Sequence, residues 1–72
     1  MTSIDAYNER ILIQVRARLL RAEIRLVGMK AENEQRAFSG FAPAYVEQQF
    51  MDMLHDEQVE YNQIIGTLQE MM

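Results

Sequence analysis

An all-α fold, a two-helix antiparallel hairpin of coiled-coil type, is what this 72-residue chain predicts, and three observations carry the prediction. Two long segments show apolar residues at helical period. A single break, the stretch RAFSGFAPAYVEQQF from Arg36 to Phe50, separates them. Charge is divided across that break, which favours antiparallel closure of one segment on the other.

Glycine and proline set the boundaries. Gly40 and Pro43 follow the pattern of glycine just past one helix and proline just inside the next. Glycine accepts the left-handed conformation at a C-terminal cap, and proline lacks an N–H that the first helical turn does not use. The expected elements are a helix over about 3–37, a turn over about 38–42 and a helix over about 43–71, all in one domain. At the start, Thr2 with Asp5 three residues on has capping-box spacing, and Asp5 and Glu9 suit the positive end of the helix dipole. Gly28 and Gly66 fall inside the helices at up to ~1 kcal/mol each relative to alanine, and Gly28 is expected to mark close helix packing.

The first helix is apolar on two sides. Ile4, Ile11, Leu12, Val15, Leu19, Ala22, Leu26 and Met29 form one face. Ile13, Ala17, Leu20, Ile24, Val27 and Ala31 form a second, nearly opposite, with Arg10, Arg18, Arg21, Arg25 and Glu32 in a strip between them. A surface helix in a hairpin needs one apolar stripe, so two stripes mean cover from both sides. The second helix has one main seam: Val46, Phe50, Met53, Leu54, Tyr61, Ile64, Ile65, Leu68 and Met71. It covers one face and leaves the other to a second copy or a different protein, so Ile13, Ala17, Leu20, Ile24, Val27 and Ala31 are the candidate partner-binding residues. A chain this short buries only ~60% of the surface its unfolded form exposes, and without cysteine it has no disulfide to add, which strengthens the expectation of a partner chain or self-association.

All seven basic residues precede the turn, against five acidic ones; after it come six acidic residues and no Lys or Arg, for a net charge of −4. That balance, with no aromatic stacking platform, argues against nucleic acid. A hydrophobic fraction of 49% is too high for a disordered chain, and no apolar run is long enough for a membrane span. The opening Met-Thr-Ser-Ile-Asp lacks the basic and apolar regions of a signal peptide, so the expected location is cytoplasmic. No catalytic residue, metal or cofactor is expected. Ser3 and Ser39 sit at a cap and a turn, and the sole histidine, His55, shares a helix face with Asp52 and Asp56. With Glu23 from the other helix, Asp52 and His55 resemble half of a carboxylate-bridged metal site, but a solvated polar face accounts for the same residues. Glu57 interrupts the second seam, either pairing with an arginine of the first helix or specifying register at a cost in stability.

A start of the form Met-Thr-x-(Leu/Ile)-(Asp/Glu), met by Met1, Thr2, Ile4 and Asp5, precedes a basic amphipathic helix, a glycine-containing turn and a second helix opening with Tyr45, Gln48, Gln49 and Phe50. In this layout the chain resembles the small helical-hairpin co-chaperones of type III secretion needle subunits. The resemblance implies a non-enzymatic role: together with a larger helical-repeat partner, such proteins hold an aggregation-prone needle subunit monomeric until export. The alternative is a self-associating structural or regulatory bundle, for instance phage or plasmid encoded.

Overall fold

A computed structural model describes residues 3–72 as an antiparallel helical hairpin. Thr2 of the expected capping box lies outside the described residues. Helix α1 spans Ser3–Phe38, and the returning arm is made of α2, Glu47–Asp56, and α3, Tyr61–Leu68. No strand occurs among the described residues. The hairpin measures 57 × 20 × 11 Å, and its radius of gyration of 16.5 Å far exceeds the ~11 Å of a compact domain of this length.

The first turn forms as the glycine predicts. Gly40 has φ +79°, its N–H donates to the Ala37 carbonyl at 3.1 Å, and the Phe41 N–H reaches back to the Arg36 carbonyl at 2.8 Å. These are the two bonds of a Schellman cap. Past it the structure departs from expectation, because the next helix begins at Glu47 and not at Pro43. The cause is Asn33 on α1. Its side-chain amide donates to the Tyr45 carbonyl at 2.8 Å and its oxygen accepts the Tyr45 N–H at 2.9 Å. With both backbone groups of Tyr45 engaged, the segment after Pro43 stays out of the helix until Val46, whose N–H is taken by the side chain of Gln49 at 2.9 Å.

The expected second helix also breaks in the middle. Gln58 adopts φ +61°, its N–H donates to the His55 carbonyl at 3.0 Å and the Val59 N–H to the Leu54 carbonyl at 3.0 Å. The bond pattern repeats that at Gly40, with glutamine in the left-handed position. Glu60 then opens α3, its N–H donating to Gln63 Oε1 at 3.2 Å as Val46 does to Gln49. The break changes the helical phase. Val59 turns inward against the core, while Tyr61, an expected seam residue, is largely exposed, as is Val46 outside the start of α2. Phe50, Met53, Leu54, Ile64, Ile65, Leu68 and Met71 keep their places on the inner side.

The buried core is small: Ile11, Val15, Ala22 and Met29 from α1 and Met53, 1% exposed, from α2. Tyr45, Phe50, Leu54 and Val59 pack on the Ala22, Met29 and Met53 cluster, with the Tyr45 and Phe50 rings edge to face at 6.4 Å. Of the face expected to meet the second arm, Ile4, Leu12, Leu19 and Leu26 are not buried; Ile4 is 51% exposed and Leu19 44%. The arm is a single helix wide, so only the centre of the face is covered and these leucines flank it. Gly28 sits in an unbroken helix, and a Cβ there would meet nothing within 4 Å, so it marks no close packing within the chain.

Candidate interaction surface

The two faces of α1 are built differently. On the inner side, polar residues punctuate the buried aliphatics at the ends and between them. Asn8 donates to the Met72 carbonyl at 2.7 Å and accepts its N–H at 2.8 Å, the same reciprocal pairing that Asn33 makes with Tyr45. Arg18 donates to Thr67 Oγ1 at 2.7 Å, and that hydroxyl donates onward to the Gln63 carbonyl at 3.0 Å. Arg25 donates to Glu57 at 3.0 Å, with Arg21 3.8 Å from the other carboxylate oxygen. Glu57 is therefore an ion-pairing residue at the arm's edge, its side chain 12% exposed against two partly exposed arginines. The four ties lie along the whole seam and can all be met only in one register of arm against helix.

The candidate partner-binding residues lie on the far side of α1 and are uncovered. Leu20 is 59% exposed, Ile24 65% and Val27 67%; Ile13, Ala17 and Ala31 are exposed as well. Their spacing alternates between four and three residues from Ile13 through Ala31, which is the 3.5-residue repeat of a coiled-coil seam. A further step in each direction reaches Arg10 and Glu34, and one more reaches Ala6 and Phe38, whose ring is 95% exposed. Neither Arg10 nor Glu34 makes an ion pair among the described residues. Val27, Lys30, Ala31 and Glu34 line a shallow open hollow. Four such residues on one helix are what receives a single side chain from a facing helix.

Two of the residues considered for metal binding, His55 and Asp52, have partners of their own. His55 Nδ1 lies 2.8 Å from Glu60, Asp52 accepts a hydrogen bond from Gln48 at 2.8 Å, and no group of three or more potential metal ligands occurs among the described residues. No described helix is long and apolar enough to cross a membrane.

The comparisons add no relative: no family model matches the chain, and no curated protein or solved structure matches it. The outer stripe was legible in the sequence as an apolar face. The asparagine clamps and the Arg18 to Thr67 bond were not, because a lone Asn or Thr on a helix carries no signal of a partner dozens of residues away.

Proposed function

We propose that the protein is a non-catalytic, cytoplasmic interaction module whose working surface is the outer stripe of α1. The observation that carries this is the run of six aliphatic positions, Ile13 to Ala31, at coiled-coil spacing on the side of α1 that the returning arm leaves bare. A chain of 8.5 kDa folded compactly exposes about 4,700 Å², whereas this one exposes 5663 Å². The excess of about 1,000 Å² is close to what one partner contributes to a stable protein–protein interface. Contiguous apolar surface of this kind marks contact sites.

The layout resemblance supplies a biological setting: a co-chaperone that, with a helical-repeat partner, keeps a type III secretion needle subunit unpolymerised before export. The module tolerates such a role because its inner seam folds the hairpin and leaves the outer stripe free for a client or partner helix. Leu20→Asp combined with Ile24→Asp places two charges at the centre of the stripe without touching the inner seam. The double variant is expected to keep the helical circular dichroism of the parent and to lose co-purification with a co-expressed needle subunit and helical-repeat protein. A variant that still captured them in full would show that the stripe is not the working surface.

A further inference from the structure

On the reading of the outer stripe as a helix-docking surface, we infer that its occupant is a second copy of this chain, packed antiparallel about a two-fold axis level with Ala22. The stripe is self-complementary in that direction and in no other. Across such an axis Leu20 meets the partner copy's Ile24, Ala17 meets Val27 and Ile13 meets Ala31, so the stripe's two alanines each face a larger aliphatic. Beyond them Arg10 meets Glu34, two exposed charges with no ion pair inside the described hairpin. At the ends Phe38, the most exposed large apolar side chain among the described residues, lies over Ala6. A symmetric dimer makes every one of these contacts twice.

The hollow beside Ala31 gives the pairing a physical seat. It is lined by Val27, Lys30, Ala31 and Glu34, and the antiparallel arrangement brings Ile13 of the second copy opposite Ala31 in that lining, as a knob opposite its hole. Other arrangements fail on the same residues. A parallel pair sets Arg10 against Arg10 and Glu34 against Glu34, and leaves Ala17 and Ala31 facing themselves across voids. Sliding the antiparallel pair by one heptad puts Arg10 against Val27 in one direction and Glu34 against Ala17 in the other, burying a charge against an aliphatic. Because the outer stripe lies nearly opposite the inner seam, the dimer is a row of four layers: arm, α1, α1 and arm. A heterologous helix then competes with the second copy for one surface.

Sedimentation equilibrium of the wild-type chain is expected to give a concentration-dependent mass approaching twice 8.5 kDa. Register and direction are read by cysteines, which are clean probes in a chain that has none. An equimolar mixture of Ala17→Cys and Val27→Cys chains is expected to form the mixed disulfide, while either variant alone crosslinks poorly, its own thiols lying ten residues apart along the axis, or ~15 Å. Arg10→Glu and Glu34→Arg singly should each weaken the dimer about tenfold or more, since each pair occurs twice, and the doubly exchanged chain should recover it. Ready crosslinking of Ala17→Cys to itself would overturn the antiparallel arrangement. A wild-type chain that stays monomeric at tens of micromolar while its stripe still captures a heterologous helix would overturn the second copy and leave the docking surface standing. Association undisturbed by Leu20→Asp with Ile24→Asp would remove both.

Discussion

The inner and outer stripes of α1 share a length, a repeat and a helix, and they differ in what lies between their aliphatic residues. On the inner side Asn8, Arg18, Arg25 and Asn33 are interleaved with Ile11, Val15, Ala22 and Met29, and each polar group bonds to the returning arm. On the outer side six aliphatic positions run without interruption, and charge enters only at Arg10 and Glu34. The contrast separates two demands on one helix. The inner seam has a thin core, so direction and register within the chain are set by hydrogen bonds that cannot be satisfied if the arm slides. The outer stripe carries its apolar area undiluted and has its charges at the ends, where they stay exposed to solvent.

Substitutions that pit one stripe against the other test that division. The largest effect is expected for Met53→Asp, which puts a carboxylate at the most buried side chain of the hairpin. Its cost of at least ~3 kcal/mol is comparable to the whole stability of a domain this small, so loss of the helical signal and of the thermal transition is the outcome to look for. The outer pair Leu20→Asp and Ile24→Asp, though it introduces two charges, should leave the isolated hairpin helical. Asn33→Ala comes next, at about 2 kcal/mol for the loss of two hydrogen bonds to one backbone residue, with hydrogen exchange accelerating first at the Tyr45 amide. Leu19→Asp sharpens the boundary between the stripes. The side chain flanks the seam, so a loss of no more than ~1 kcal/mol is expected in thermal melts, and global unfolding would mean that the covered face is wider than described.

The arm offers two smaller tests. Gln58→Gly relieves a left-handed conformation that costs a residue with a Cβ about 1 kcal/mol, so the melting temperature should rise by a few degrees, provided the turn is the one described. Glu57→Leu removes an ion pair to exposed arginines and adds apolar area at the seam's edge. Its effect should stay within ~1 kcal/mol of zero, and a much larger loss in a thermal melt would make the Arg25 contact an anchor of the fold.

The sequence by itself determined the helical hairpin, the Gly40 cap and the two apolar faces of α1, because these depend on local period and on glycine's freedom at positive φ. Which of the two faces the arm covers was decided by the tertiary structure, since period alone marks both as apolar. It could not reveal that the arm begins at Glu47 and breaks at Gln58. Nothing in the local pattern around Pro43 argues against a helix, and a glutamine at φ +61° has no signature of its own. Those features belong to the tertiary structure. Asn33 takes the backbone of Tyr45 out of the helical ladder, and burial of Val59 against the Ala22, Met29 and Met53 cluster offsets the strain at Gln58. Tertiary structure also narrowed the inner face, since one helix's width of arm covers Ile11, Val15, Ala22 and Met29 and leaves Leu12, Leu19 and Leu26 at its margins. Periodicity reports which side of a helix is apolar, but how much of that side is buried depends on the breadth of what packs against it.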